Sequence, residues 1–262
     1  MTGFRRPPLL LLVPAVLGLA FLVVPLAGML VRAPWTRIVS DLAAPGVWDA
    51  LRLSLICATL ATVLATVLGV PLAWLLARSD VPGRGLIRAL VTVPLVLPPV
   101  VGGVALLLVL GRRGLIGEHL NTWFGISLPF TTPAVVLAEA FVAMPFLVLA
   151  VEGALRAADS RYEDAAATLG AGGWYTFRRV TLPLVAPGIA AGAVLAWARA
   201  LGEFGATITF AGNFPGTTQT MPIAVYEALE TDPDTAVVLS LLLLIVSIAV
   251  LVALRDRWVP TG

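Results

Sequence analysis

The sequence contains no lysine, a single cysteine, Cys57, and a single histidine, His119. Only 12% of its 262 residues are charged, about half the share of a soluble domain. Each scarcity excludes something. A Walker A loop needs its lysine on the nucleotide phosphates, so the chain carries no ordinary ATP-hydrolysing site of its own. One cysteine cannot form an intrachain disulfide, and within an apolar run Cys57 reads as a buried inert thiol. His119 has no Cys, His or paired carboxylates near it in sequence, so it reads as a solvated side chain, and no metal site is expected. The net charge of +2 comes from arginines scattered over loops; without a basic stripe, nucleic-acid binding gets no support.

What is abundant is apolar surface, 59% of residues. It falls in long runs rather than at the periods of half-buried elements, which points to membrane-spanning helices of about 20 residues each. Leu9 to Val31 follows Arg5 and Arg6 as a signal peptide's apolar region would. It exceeds the usual length of about 7–15 residues and lacks a small-x-small cleavage site, so a retained helix is expected. Further spans are expected over Leu53 to Ala77, Leu86 to Leu110, Pro133 to Leu155, Leu184 to Ala211 and Thr235 to Leu254. The expected fold is therefore an all-α membrane protein of six transmembrane helices.

Short cytoplasmic loops are enriched in basic residues. With the N-terminus inside, Arg5, Arg6, Arg78, Arg84, Arg88, Arg156, Arg161, Arg178, Arg179, Arg255 and Arg257 all fall on the inner side. The outer side receives Arg32, Arg37, Arg52, Arg112 and Arg113, and its last loop, Gly212 to Asp234, is acidic with Glu227, Glu230, Asp232 and Asp234. Both termini are expected in the cytoplasm. Pro71, Pro94, Pro98 and Pro99 lie inside spans. Lipid cannot satisfy the carbonyls they free, so these turns should lie against protein or a water-filled path; packed kink and pathway both stand as readings.

The inner loop Arg156 to Thr181 is long enough to need its own structure. Ser160 and Glu163 have the spacing of a capping box, Ala165, Ala166 and Ala167 favour a helix, and Gly170 stops it. The pattern predicts a helix from Arg161 to Leu169 with Tyr162, Ala165, Ala166 and Leu169 along one narrow face and Glu163 and Asp164 at its start. So short a helix is marginal alone and wants a docking surface, either the chain's own bundle or a cytoplasmic partner.

Here the residues match a known pattern. Asp164-Ala165-Ala166-x3-Gly170-x9-Val180-x-Leu182-Pro183 resembles the EAA loop of binding-protein-dependent ABC permeases, E-A-A-x3-G-x9-I-x-L-P, with Asp for Glu and Val for Ile. Three further stretches, Gly69 to Arg78, Pro94 to Val101 and above all Ala198 to Phe210 (A-R-A-L-G-E-F-G-A-T-I-T-F), are similar to the molybdate and tungstate branch, as is Asn213 to Pro222; sulfate permeases are its nearest relatives. The resemblance covers roughly Trp48 to Leu254.

It implies a type I importer permease fold with a cytoplasmic coupling helix, made of Glu163, Asp164, Ala165, Ala166, Leu169 and Gly170, followed by Leu182 and Pro183. The implied division is a leading helix and outer loop over 1–45, a transmembrane domain over 46–255 with the EAA loop at about 160–183, and a tail over 256–262. The implied assembly, in a bacterial inner membrane, is a permease homodimer with two ABC ATPase subunits and an external molybdate-binding protein. ATP and Mg²⁺ belong to the ATPase, and this chain itself is no enzyme and holds no cofactor. An external energy source suits such transport, because a dianion entering a negative interior works against about 2.3 kcal/mol per charge per 100 mV.

Arg199 and Glu203 are four apart in the fifth expected span and so share a helix face. Intramembrane charges face a bundle interior or cavity, so the pair, with Thr207 and Thr209 beyond it, is a candidate for the translocation path or its gate; a structural ion pair is the other reading. An ion-coupled secondary transporter would use Glu139, Glu152 and Glu203, but internal repeats are not evident. An intramembrane hydrolase lacks the residues for a nucleophile and base.

Overall fold

The computed structural model describes residues 9–255; Arg5, Arg6, Arg257 and the expected tail lie outside the described residues. The regular elements described are all helical. In order they are α1 (Leu9–Arg32), α2 (Ile38–Leu42), α3 (Val47–Arg78), α4 (Arg84–Val96), α5 (Pro99–Leu110), α6 (Gly117–Phe124), α7 (Thr132–Ala157), α8 (Arg161–Thr168), α9 (Gly173–Thr176), a π-helical turn (Phe177–Thr181), α10 (Leu182–Leu201), α11 (Gly205–Ala211), α12 (Met221–Thr231) and α13 (Pro233–Arg255). Among the described residues, five rods are long and apolar enough to cross a membrane: α1, α3, α7, the continuous stretch Gly173–Leu201, and α13. The pair α4 and α5 makes a sixth span if taken together.

α7 is the centre, with α3 and α10 packed along it. Lipid is as apolar as leucine, so no hydrophobic drive brings helices together there; small side chains that allow close van der Waals packing do. On α3 the fully buried Ala58, Ala61, Ala65 and Ala73 recur along one face. On α10 Gly188 and Gly192, one turn apart, meet α7 at Ala154 and Ala150; a Cβ on Gly192 would stand 3.0 Å from the Ala150 Cβ and 3.3 Å from the Leu147 carbonyl oxygen. α1 packs on α13 and keeps an exposed apolar surface, as a lipid-facing helix requires.

Two expected spans are not straight rods. The expected helix Leu86 to Leu110 is broken at Leu97 and Pro98, and α4 and α5 meet at 117°. Pro98 forces Leu97 into extended backbone (ψ 134°), and Pro99 then opens α5 at a first-turn position that needs no N–H. The expected helix Leu184 to Ala211 starts earlier, at Gly173, and ends at Leu201; Gly202 to Phe204 separate it from α11. The π-helical turn carries the rod past Pro183: Leu182 N–H bonds back five residues to Phe177 O, and the wider turn makes room for a ring that would clash with the carbonyl four residues before it.

The two breaks meet. α11 packs on α5, and a Cβ on Gly205 would lie 2.9 Å from the Pro99 Cβ and 3.1 Å from the Val100 nitrogen. Pro99 of the broken span thus rests against protein at this point. At the same end of the bundle Ser54 Oγ of α3 accepts the Met221 N–H at 2.7 Å, closing the start of α12. Arg37 joins Asp232 at 2.6 Å, with Asp41 and Asp234 within 3.7 Å, and Glu227 accepts hydrogen bonds from Asn213 and Gln219, so the acidic loop is pinned rather than free.

Gly192→Val should cost about 1–3 kcal/mol through overpacking against α7, read as a lower melting temperature in detergent. Gly153→Ala, where an added Cβ meets nothing within 4 Å, should leave it unchanged. Equal melting temperatures for the two variants would show that the α7–α10 seam is not tight.

Candidate functional site

The loop between α7 and α10 folds into α8 much as its residues dictate, with one correction. Ser160 makes no side-chain cap; Asp159 takes that role, its carboxylate accepting the Arg161 N–H at 3.0 Å. Glu163, freed from the expected capping box, points elsewhere. The helix ends at Thr168, one residue before the expected Leu169. Gly170 has φ +82°, its N–H bonds Ala167 O, and the Ala171 N–H bonds Ala166 O. This is a Schellman ending, which needs a residue that tolerates the left-handed region. Tyr162, Asp164, Ala165 and Leu169 are exposed, Leu169 at 89%, and Ala166 is half-buried, so the face of small and apolar side chains points away from the chain's own bundle.

Glu163 is the anchor of this loop. One carboxylate oxygen lies 3.0 Å from Arg78 Nε at the end of α3, and the other accepts the Thr181 hydroxyl at 2.7 Å at the foot of α10. Arg78 also donates to the Ala158 carbonyl at 3.1 Å, just past α7. A single carboxylate and a single guanidinium therefore tie α8 to three spans. Beside them Glu152 of α7 is held by Arg88 of α4 and by Arg156 one turn on, the latter at 2.8 Å. Leu182 packs on the core and Pro183 is exposed in the first turn of α10.

The Arg199–Glu203 pair forms, at 2.6 Å, and spans the α10–α11 break. Its second contact was not visible in the sequence: Glu203 Oε1 accepts the Ala206 N–H at 2.8 Å. A cation thus closes the C-terminal turn of α10 and an anion the N-terminus of α11, each with the sign that the backbone dipoles favour. Thr207 and Thr209 follow directly on the Glu203–Ala206 contact. They lie on the separate α11; Thr207 is fully buried, whereas Thr209 donates to Gly205 O and its Cβ fills the notch at Gly103 on α5. Glu139, buried in α7, pairs with no arginine among the described residues.

Against known proteins, residues 69–260 match the model of the family described as binding-protein-dependent transport system inner membrane component. The chain belongs to this family. It is 49% identical over 249 residues to the molybdenum transport system permease protein ModB of Mycobacterium tuberculosis, covering 95% of this chain and 94% of that one. It is 46% identical to ModB of Escherichia coli, over 80% and 92% of the two chains. A sulfate transport system permease protein, CysW of Synechococcus elongatus, is 37% identical over 79% and 73%. In fold it is similar to a bacterial ABC transporter that imports alginate (TM-score 0.77, 18% identity, 95% and 93% covered) and to the MetNI methionine transporter (TM-score 0.60, 19% identity, 81% and 94% covered). The chain is thus a multi-pass membrane protein with the type I importer permease fold, and a transport subunit of its family.

The contacts that join Arg78 and Thr181 to Glu163, and Arg88 to Glu152, were not visible in the sequence. Only Glu152 and Arg156, four apart, carried a local signal. Glu163→Gln and Arg78→Gln should each loosen α8, by about 1.5–3 kcal/mol for a hydrogen bond to a charged group, read as faster amide exchange across Arg161–Thr168. The double variant should cost less than the sum of the two, because each also loses a contact of its own, to Thr181 or to the Ala158 carbonyl; fully additive losses would show that the two side chains do not act as a pair.

Proposed function

We propose that this chain is the permease subunit of an ATP-driven importer that carries molybdate, and with it tungstate, into the cytoplasm. The observation that carries the reading is the near full-length similarity to molybdenum permeases, at 49% identity over 95% of the chain. A sulfate or thiosulfate permease is the second reading, favoured by the 37% identity to a sulfate permease. An ion-coupled transporter fits less well, because two of its three candidate carboxylates, Glu152 and Glu203, are already bound to arginines.

In the proposed assembly two copies of the chain meet two ATPase subunits, which bind ATP and Mg²⁺, on the side of α8. An external binding protein delivers the anion on the other side, and both termini lie in the cytoplasm. The transmembrane domain runs over 46–255, with the leading segment 1–45 outside it and the tail 256–262 after it. The exposed face of Tyr162, Ala165, Ala166 and Leu169 is the surface offered to the ATPase, and Gly170, Leu182 and Pro183 set the angle at which the chain returns to the membrane. Movement of α8 passes through Glu163 to Arg78 and Thr181, hence to α3 and α10. The Arg199–Glu203 pair is proposed to hold the α10–α11 break at the path's gate, with Thr207 and Thr209 fixing α11 beside it.

Cells lacking the gene should regain uptake of labelled molybdate with the wild-type chain, and unlabelled tungstate should compete better than sulfate; strong competition by sulfate alone would favour the second reading. Gly170→Val places a β-branched residue at φ +82°, where left-handed backbone costs about 1–2 kcal/mol. It should insert normally yet lose ATPase stimulation by the loaded binding protein, and stimulation at the wild-type level would remove the coupling role.

Arg199→Gln strands a buried carboxylate, which costs about 3–5 kcal/mol when a buried pair is broken. If the pair belongs to the gate, at least one of Arg199→Gln and Glu203→Gln should assemble normally and still change uptake rate. Loss of uptake in strict proportion to loss of assembled complex would leave only the structural role.

A further inference from the structure

An apolar hollow of about 280 Å³ opens at the α8 end of the bundle, between Pro71 and Trp74 of α3 on one side and Gly173, Trp174 and Phe177 on the other. The aromatic wall is ordered by its own rings: Trp174 stacks on Phe177 at 5.8 Å, and Phe177 meets Trp74 edge-on at 6.1 Å. Trp74 and Pro71 are one and two turns from Arg78, or about 6 and 10 Å along the helix. With Arg78 at the headgroup level, that is the depth at which headgroups give way to acyl chains, where tryptophan is enriched. Deeper on α3, Val67 and Leu68 are exposed, so the hollow runs on into apolar surface. Toward the loop, Arg178 and Arg179 follow Phe177; both are exposed, and no carboxylate among the described residues lies within ion-pair distance of either.

We infer that this hollow holds an acyl chain of an anionic phospholipid whose phosphate is bound by Arg178 and Arg179. Apolar lining at acyl depth, an interfacial tryptophan 73% exposed and two uncompensated cations beside it are the complementary parts of such a lipid. A lipid seated there would wedge between α3 and the segment that joins α8 to α10, and so brace the joint that Glu163 crosses. The site is independent of which anion is transported.

The test uses the full transporter, this permease assembled with its ATPase, in phosphatidylcholine nanodiscs doped with phosphatidylglycerol carrying a diazirine on one acyl chain. Adducts are expected on the peptides that contain Trp74 and Trp174, displaced by unlabelled phosphatidylglycerol and not by phosphatidylcholine. Arg178→Gln and Arg179→Gln should each weaken labelling about fivefold, the worth of one basic residue at an anionic surface. Trp174→Ala should weaken it and Trp174→Phe preserve it; all three side chains are exposed, so assembly should be unaffected. Labelling that ignores the arginine variants, or that phosphatidylcholine displaces equally, is bulk lipid contact and overturns the inference. So does the absence of adducts on these peptides, including the case where an ATPase side chain is crosslinked there instead.

Discussion

Inside hydrocarbon no water completes an open hydrogen bond, so every interruption of a helix must be closed by the protein itself. The architecture follows from how this chain meets that constraint. At the α10–α11 break a carboxylate takes up the Ala206 N–H. At the α4–α5 break a proline occupies the position where no N–H is left over, and the start of α11 lies against it. Ser54 closes α12, and Thr131 Oγ accepts from the Ala134 nitrogen to close α7. Because breaks are stable only against protein, the two broken spans meet each other, which brings α5 and α11 together and leaves α3, α7 and the α10 half of its span to form the frame.

That frame is rigid for a different reason. Alanines and glycines let α3 and α10 approach α7 closely, and so tight a seam tolerates little sliding without collision. The loop helix α8 has no core of its own. It is attached through Glu163, Arg78 and Thr181, three side chains from elements far apart in sequence, which makes it an extension of the frame at its base and leaves its outer face uncovered. A load applied to that face has a short, defined route into two of the three frame helices.

What was legible in the sequence is what local rules decide. Apolar runs marked the spans, because hydropathy reports the solvent around a segment. The same run could not mark the break at Gly202 to Phe204, because both halves share that solvent. Pro98 and Pro99 announced a disturbance, but not its size of 117° nor that α11 packs on α5 beside it, which is a non-local fact. Gly170 was legible because its left-handed backbone depends on its own residue type. Glu163 shows the opposite case: its spacing to Ser160 fits a capping box, and an arginine 85 positions earlier wins the carboxylate instead, since Asp159 caps the helix and leaves it free. Arg199 and Glu203 were readable as a pair by their spacing, whereas the backbone contact that makes Glu203 a brace across a break was not.

Two of the ion-pair clusters share an asymmetry that bears on the sign of whatever passes, whereas Arg78 and Glu163 are about equally buried, at 16% and 18%. In the pair at the α10–α11 break the Arg199 side chain is 27% exposed and that of Glu203 1%. In the network near α8 the side chains of Arg88 and Arg156 are 40% and 45% exposed and that of Glu152 6%. In both places the carboxylate is turned into protein and the guanidinium outward, so each cluster presents its positive end. Guanidinium is the more weakly hydrated cation and the better partner for planar or tetrahedral oxyanions. Surfaces built this way attract an anion without binding it in a closed cage, and they raise its local concentration by field rather than by fit. Such a device suits a path that an anion must leave as readily as it enters.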